Sequence, residues 1–272
     1  MFKKKYSIAS APYRISLGGG GTDLPFYARK RKGALISASI NEYITVMVAH
    51  RSLDSDIFLQ YSKTERCHSV NEINHDIIRE VLKYFKINKS FQVATFSSMP
   101  TFTGLGASST LIVALLTAIY DLKGIKKSKK SIAEEAYYIE RKILKLSGGF
   151  QDQYIASFGG IQLIKISTSL NVSIKQLHIG KSIMNKLNNS LFLIHSKVDR
   201  RSEKIILKQK KESEKDQIRV FDAYDEIKNI GKDSIELISS GKISKLGKLM
   251  DKHWEIKKSI STSISSNRLN NM

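Results

Sequence analysis

Short apolar or alternating runs dominate the first 170 residues, and longer patterns rich in charged residues follow them. Runs of β-branched and apolar residues predict strands, and these cover residues 7–17, 33–39, 43–51, 57–61, 91–97 and 161–166. Apolar residues that recur every three or four positions predict helices, and these cover residues 74–85, 108–120, 131–146 and 151–158. Strands interspersed with helices in this way predict an α+β fold.

A second unit is predicted from about residue 170. It includes a strand at Leu191–His195, and long basic and acidic helical stretches begin at Ser202. A chain of 272 residues is long enough to form two domains that each bury a core. We therefore predict one domain over residues 1–169 and a second over residues 170–272.

The most informative segment follows Pro100, where a glycine turn opens onto the apolar run Leu111–Tyr120. At such a junction several backbone N–H groups and the positive end of the helix dipole face an anion together. The hydroxyl groups of Ser108 and Ser109 can bind the oxygens of that anion or hold Mg²⁺. A nucleotide triphosphate is therefore the candidate ligand, and a capped core helix is the alternative.

A glycine loop and two acidic residues add a second candidate chemistry. The loop Gly18–Asp23 follows the first predicted strand, and its backbone can approach a ligand closely. Glu140 precedes the pair Gly148-Gly149 and Asp152 follows it, so a bend there can direct both carboxylates to one site. One carboxylate on Mg²⁺ and another that accepts a hydroxyl proton suit phosphoryl transfer to an alcohol. The alternatives are an exposed helix carboxylate for Glu140 and a helix N-terminal acid for Asp152.

Composition limits the kinds of function that the protein can have. The net charge of +20 is compatible with a nucleic-acid surface, but the lysines are spread along the whole chain, which favours a compositional bias that also attracts anionic ligands. The single cysteine, Cys67, excludes an internal disulfide and suits a reducing compartment. No apolar run is long enough for a membrane span or a signal peptide, so we expect a soluble cytoplasmic protein. Whether it forms a homo-oligomer stays open.

In their order along the chain these motifs resemble those of the GHMP small-molecule kinases, over about residues 8–168. The segments Pro12–Ile15 and Gly18–Asp23 resemble the first motif of that family, which shapes the sugar pocket. Residues 100–109 resemble the second motif, P-x-x-x-G-L-G-x-S-S, which cradles the phosphates of ATP. Glu140 and the segment Gly148–Gln153 match the acidic pair. The resemblance implies a ribosomal-protein-like N-terminal α/β domain and a ferredoxin-like C-terminal domain.

The activity that the resemblance implies is ATP-dependent phosphorylation of the anomeric hydroxyl of a sugar or sugar phosphate. Within the family, the segments resemble the branch that acts on D-glycero-D-manno-heptose 7-phosphate. Asp152 would accept the hydroxyl proton, Arg14 would stabilise negative charge and keep Asp152 ionised, and Ser108 and Glu140 would ligate Mg²⁺. The implied ATP-binding residues are Pro100, Gly104, Leu105, Gly106, Ala107, Ser108 and Ser109. The implied substrate-binding residues are Gly19, Gly20, Gly21, Thr22, Asp23, Gln151 and Asp152.

The resemblance weakens beyond about Thr168, and no counterpart of the family's third, glycine-rich motif follows. We therefore expect a truncated chain with an incomplete ferredoxin-like domain and an exposed sheet edge. Two other functions stay open: a catalytically impaired homologue that binds nucleotide or sugar without turnover, and a nucleic-acid-binding protein, which the lack of a clustered aromatic and basic face disfavours. The basic run Arg29–Lys32 is a candidate contact for the 7-phosphate, with a solvated turn as the alternative.

Overall fold

One mixed sheet organises the computed structural model of the chain, which describes residues 2–100, 103–197, 202–261, 264, 265 and 270. The sheet runs in the order β4-β3-β5-β2-β6-β7, and β1 pairs with β2 off that path. All pairings are antiparallel except β3 with β5. The strands are β1 Tyr6–Gly18, β2 Gly33–His50, β3 Ile57–Gln60, β4 Thr64–Cys67, β5 Phe91–Ser97, β6 Ile161–Ile166 and β7 Val172–Gln176.

Helices pack against this sheet, and further helices follow its last strand in the sequence. Within the described residues they are α1 Pro25–Arg31, α2 Asp76–Tyr84, α3 Ala107–Leu122, α4 Lys129–Tyr138, α5 Gln151–Phe158, α6 Lys181–Ser190, α7 Ser202–Lys215, α8 Gln217–Ser239 and α9 Ile243–Ile260. A 3-10 turn covers Val70–Glu72, and a π-helical turn, Ile139–Ile143, directly follows α4. None of these helices is both long and apolar enough to cross a membrane.

Helix α3 forms the centre of the main core because it is apolar nearly all round, as expected of a buried helix. Its Ile112, Leu115 and Leu116 are fully buried and share a cluster with Val46 and Val48 of β2. The long strand β2 pairs with β5 through residues 44–50 and with β6 through residues 33–38. Together α3 and β2 fix the positions of the loops at the ends of β1 and β5.

The C-terminal helices α8 and α9 pack on β1 and β2. One cluster joins Leu17 and Ile36 to Ile238 of α8, and a second joins Tyr27 of α1 to Tyr224 of α8. The second cluster also carries polar contacts between α1 and α8, because the Tyr27 hydroxyl donates to Asp225 at 2.6 Å. The helical unit is therefore attached to the segment that carries the glycine loop.

The predicted α+β fold class is confirmed by one mixed sheet with helices packed against it, and several elements differ from the prediction. The two strands expected at 33–39 and 43–51 are one continuous strand, β2, and the helix expected at 131–146 divides into α4 and the π turn. The strand predicted at Leu191–His195 is wrong: the segment is irregular, and Phe192 is 85% exposed. A strand needs a neighbour to pair its backbone groups, and the described residues after Gln176 contain helices but no strand. The predicted domain boundary falls in the turn between β6 and β7 and stays a prediction.

His253 in α9 makes the stability of the fold depend on pH. Burial, followed by the charge of Lys257, lowers its pKa to about 4. Because the unfolded chain takes up this proton near pH 6.5 and the folded chain does not, the free energy of unfolding falls as the pH falls from 6.5 toward 4. We expect this group to contribute a loss of about 2 kcal/mol between pH 7.5 and pH 5.

Urea unfolding at both pH values, on the wild type and His253→Gln, measures this contribution. The substitution should remove about 2 kcal/mol of the pH dependence, whereas the exposed His178→Gln should leave it unchanged. An identical pH dependence in all three proteins would contradict the assignment.

Candidate active site

Arg14 of β1 joins two of the predicted motifs. Its Nε donates to Asp152 Oδ1 at 2.6 Å, and its Nη1 donates to the carbonyl oxygen of Gly104 at 2.8 Å. Its backbone N–H donates to the carbonyl oxygen of Leu105 at 3.2 Å. The side chains of Arg14 and Asp152 are only 16% and 24% exposed, so the pair is screened less than a surface ion pair. Arg14 therefore holds the turn before α3 and the start of α5 at one place.

The second oxygen of Asp152 is directed toward the start of α3. Gly106 is the N-cap of that helix and has a φ of 84°, and a Cβ at this position would lie 3.4 Å from Asp152 Oδ2. No side chain caps α3, so the first backbone N–H groups of the helix are not satisfied by a capping side chain. The structure thus brings a carboxylate oxygen next to an uncapped helix N-terminus.

Glu140 lies in the π turn and is 3% exposed. Its Oε2 accepts hydrogen bonds from the Ser109 hydroxyl at 2.6 Å and from Gln153 Nε2, and Arg141 Nη2 lies 3.5 Å away. Burial raises the pKa of Glu140, and the nearby charge of Asp152 raises it further, while Arg141 and the two hydrogen bonds oppose the rise. Ser109 therefore binds Glu140, and Ser108 is half-buried at the first turn of α3.

The buried carboxylate of Asp23 connects the glycine loop 18–23 to the turn before α5. Its Oδ1 accepts from the backbone N–H of Gly21 at 3.1 Å, and its Oδ2 accepts from that of Gln151 at 3.0 Å. A Cβ at Gly149 would overlap this carboxylate, so glycine is required there by the close approach of Asp23. The Gln151 side chain continues the network, because its Nε2 donates to Ser37 Oγ at 2.8 Å.

The electrostatic balance at Arg14 involves three carboxylates. Burial alone would lower the pKa of Arg14, but the charge and hydrogen bond of Asp152 and the charges of Asp23 and Glu140 outweigh it, so the pKa is raised. These acids are therefore near enough to interact with one guanidinium. Their hydrogen-bond partners differ: Asp152 binds Arg14, Asp23 binds backbone amides, and Glu140 binds a hydroxyl and an amide.

Groups that suit ATP and Mg²⁺ are present in this arrangement. The uncapped start of α3 and the glycines before it offer N–H donors that suit phosphate oxygens, and Glu140 and Ser108 are oxygen donors of the kind that Mg²⁺ prefers. Gln153 Oε1 is buried and has no hydrogen-bond partner among the described residues. Within those same ranges, no three His, Cys, Asp or Glu side chains form a metal cluster, so any bound Mg²⁺ would need oxygens from its ligand as well.

Some of the residues that the sequence predicted for the site contact the protein itself. Thr22 is fully buried, and its hydroxyl donates toward the carbonyl oxygens of Gly19 and Ala34 at 2.8 and 2.9 Å, so it anchors the glycine loop. In the basic run 29–32, Arg31 pairs with Asp225 of α8 at 2.6 Å and Lys30 binds Gln217, whereas Arg29 is exposed. Thr101 and Phe102 of the second motif lie outside the described residues, and Pro100 is exposed at the edge of that gap.

The sequence reasoning named neither Arg141 nor Lys257, and it gave no role to Gln153, which ends the matched segment Gly148–Gln153 and binds Glu140. Arg141 follows Glu140 directly in the π turn, and its side chain is only 10% exposed beside the buried Glu140. The periodicity of apolar residues carries no sign of such a turn. Lys257 lies on α9, and a Cβ at Gly21 would lie 2.6 Å from its Nζ. Only the tertiary packing of α9 brings it to the glycine loop.

Residues 72–160 match the model of the GHMP kinase N-terminal domain. This segment therefore matches the N-terminal domain of the GHMP kinases, and the chain shares the fold of their solved structures. Its homologues are GHMP sugar kinases, which are phosphotransferases with an alcohol acceptor, and enzymes of this family use ATP, generally with Mg²⁺.

Individual relatives agree with this family. The D-glycero-alpha-D-manno-heptose 7-phosphate kinase of Campylobacter jejuni is 29% identical over 269 residues, which are 95% of this chain and 79% of that protein. The crystal structure of a D-glycero-D-manno-heptose 1-phosphate kinase from Bacteroides thetaiotaomicron is similar with a TM-score of 0.77 and 25% identity, over 92% of this chain and 79% of that one. The crystal structure of the mevalonate kinase of Methanococcus jannaschii is similar to this chain with a TM-score of 0.70 and 19% identity. The match covers 99% of this chain and 83% of that one, and it shows a shared fold.

Gly149→Ala tests the contact between Asp23 and the turn before α5. The added methyl group would overlap the Asp23 carboxylate, so we expect the free energy of unfolding to fall by about 1–3 kcal/mol, the usual cost of overpacking. Urea unfolding measures the loss. Gly180→Ala is a suitable control, because its φ of −60° suits alanine and no atom lies within 4 Å of the new methyl group. Equal stability of the two variants would contradict the close approach.

Proposed function

We propose that the chain is an ATP-dependent sugar kinase that phosphorylates the anomeric hydroxyl of D-glycero-D-manno-heptose 7-phosphate, to give the 1,7-bisphosphate. The observation that carries this proposal is the position of Asp152, which Arg14 holds by Oδ1 while Oδ2 is directed toward the start of α3. An acceptor hydroxyl at Oδ2 would lie beside the place where helix α3 favours a phosphate. The two heptose kinases among the relatives support a heptose phosphate as the acceptor.

In this proposal Asp152 orients the acceptor and takes its proton. The anomeric oxygen forms a bond to the γ-phosphorus as the bond from that phosphorus to the β,γ-bridging oxygen breaks, and the hydroxyl proton passes to Asp152 Oδ2. Arg14 holds the Asp152 carboxylate through the 2.6 Å ion pair to Oδ1, which would keep Oδ2 directed at the acceptor. A loose transition state requires little basicity, so the position of Oδ2 matters at least as much as its proton affinity.

The residues around α3 would hold the phosphate donor. ATP with Mg²⁺ supplies the transferable phosphoryl group when it is bound. The backbone N–H groups of Gly106, Ala107 and Ser108 would donate to its phosphate oxygens, and the helix dipole would favour their negative charge. Ser108 and Glu140 would hold Mg²⁺, and Ser109 would keep the Glu140 carboxylate in position through its 2.6 Å hydrogen bond. Pro100 and the segment Gly104-Leu105 would form the wall of the same cradle.

The glycine loop 18–23 would bind the sugar. Gly19, Gly20 and Gly21 would let the backbone approach its hydroxyl groups, and Asp23 would accept from them with lone pairs that Gly21 and Gln151 leave free. Thr22 would contribute indirectly, because its own hydroxyl anchors the loop to β2. Since the reaction draws on ATP, we propose that the protein acts in the cytoplasm.

Asp152→Asn tests the proposed role of the carboxylate. The variant keeps the size of the side chain but removes its charge and its ability to take a proton, so we expect kcat to fall by about 10² to 10⁴. ADP release from purified protein with Mg²⁺-ATP and D-glycero-D-manno-heptose 7-phosphate measures the rate, and identification of the product by ³¹P NMR shows where the new phosphate lies.

Glu134→Gln is the matched control, because Glu134 is an exposed carboxylate of α4 that pairs with Lys130; its rate should equal that of the wild type. A wild type that binds ATP without turnover would contradict the proposal and indicate a nucleotide-binding homologue. Turnover that Asp152→Asn leaves intact would contradict the role of Asp152.

A further inference from the structure

The side chain of Gln153, in the first turn of α5, is fully buried, and only one of its two polar atoms is bound. Its Nε2 donates to Glu140 Oε2, whereas its Oε1 is buried and has no hydrogen-bond partner among the described residues. A carboxylate only accepts hydrogen bonds, so the amide nitrogen must face Glu140 and the amide oxygen is the atom left over. A buried oxygen without a partner costs free energy, and native proteins usually satisfy it with a protein group, a water molecule or an ion.

This oxygen lies next to the proposed magnesium ligand. The oxygen and nitrogen of an amide are bonded to one carbon, so Gln153 Oε1 lies at most about 5 Å from Glu140 Oε2. Two oxygens on opposite sides of one Mg²⁺ ion are about 4.2 Å apart, since each distance from the metal to an oxygen is about 2.1 Å. At most a small rotation of the amide is therefore needed for both residues to bind one ion.

The contacts of Glu140 within the described residues are all at one of its two oxygens. Its Oε2 accepts from the Ser109 hydroxyl and from Gln153, and Arg141 Nη2 lies 3.5 Å from the same atom. Its Oε1 accepts no hydrogen bond from the part of the chain that the structure describes. A carboxylate that is fixed by one oxygen and open at the other is suited to bind a hard cation.

Two other buried polar atoms without a hydrogen-bond partner show why the position of Gln153 matters. Gln162 Oε1 belongs to β6, and the Nε2 of that residue donates to the carbonyl oxygen of Gly159, at the other end of α5. Arg141 Nε lies beside Glu140, but it is a donor and cannot bind a cation. Gln153 combines an unpartnered acceptor with a place beside the proposed magnesium ligand.

We propose that Gln153 Oε1 is an oxygen ligand of the Mg²⁺ ion that Glu140 and Ser108 would hold. This inference rests on the proposed function and adds a ligand from the helical turn that also carries Asp152. Mg²⁺ takes six oxygen ligands, so two side chains and the phosphates leave room for another. An amide oxygen is neutral, so it fills the shell without adding to the negative charge of the carboxylates around Arg14.

Gln153→Leu tests the proposal, because leucine is apolar, of similar size and without either polar atom. The probe is Mn²⁺, which prefers the same oxygen ligands as Mg²⁺, in the complex with a non-hydrolysable ATP analogue. The EPR signal of free Mn²⁺ measures its binding. Ser109→Ala is the comparison, since it removes only a hydrogen bond to the same oxygen of Glu140. We expect Gln153→Leu to weaken Mn²⁺ binding at least about tenfold more than Ser109→Ala does.

Gln162→Leu is the matched control, because it makes the same change at another buried glutamine whose Oε1 has no partner in the described ranges. It should bind Mn²⁺ as the wild type does. Equal losses in Gln153→Leu and Ser109→Ala would mean that Gln153 only holds Glu140 in place, and would overturn the proposal.

Electron–nuclear double resonance of the wild-type Mn²⁺ complex gives a readout that a purely structural role would not produce. With ¹³C at the side-chain carbonyl carbon of glutamine, we expect a ¹³C coupling to the metal that Gln153→Leu abolishes at saturating Mn²⁺ and nucleotide. A wild type that binds Mn²⁺ and nucleotide without this coupling contradicts this inference alone. A wild type that binds neither contradicts the proposed function.

Discussion

The side chain of Arg14 joins segments that are distant in the sequence. A single guanidinium binds a carboxylate of α5 and a carbonyl oxygen of the turn before α3, and the backbone of the same residue binds the next carbonyl of that turn. Because Arg14 lies in β1, the sheet supplies the rigid support for this contact. The positions of Asp152 and of the α3 N-terminus relative to each other depend on it, and so does every proposed step of phosphoryl transfer.

Close backbone contacts position the remaining parts of the site. A Cβ at Gly231 of α8 would lie 3.1 Å from the Cα of Gly19, so the glycine loop and the helical unit meet backbone to backbone. At the other end of the loop Gly149 gives room to Asp23. Gly19 of the glycine loop and Gly149 before α5 therefore both give room to other parts of the protein itself.

Local patterns predicted the elements that are stabilised by local or deeply buried contacts, such as β5, α5 and the apolar helix α3. Local patterns failed where contacts with other segments decide the structure. Leu191–His195 has the composition of a strand but no described strand to pair with, and the π turn that holds Glu140 and Arg141 leaves no mark on the periodicity of apolar residues. The candidate residues of the site could be named from the order of the motifs. The hydrogen-bond partners of these residues could not be predicted. A sequence does not show whether the hydroxyl of Thr22 faces a ligand or the backbone of β2.

The charges within the site also explain why a divalent cation belongs in the proposed function. Asp23, Glu140 and Asp152 all interact with Arg14, and the charge of Asp152 adds to the burial that raises the pKa of Glu140. A nucleotide brings further negative charge to this same place. The guanidinium groups of Arg14 and Arg141 and the partial charge of a helix N-terminus face three carboxylates and the phosphates, in a partly buried site where Coulomb interactions are stronger than in water. A cation bound by Glu140 would neutralise a buried carboxylate whose pKa is raised by burial and by the charge of Asp152.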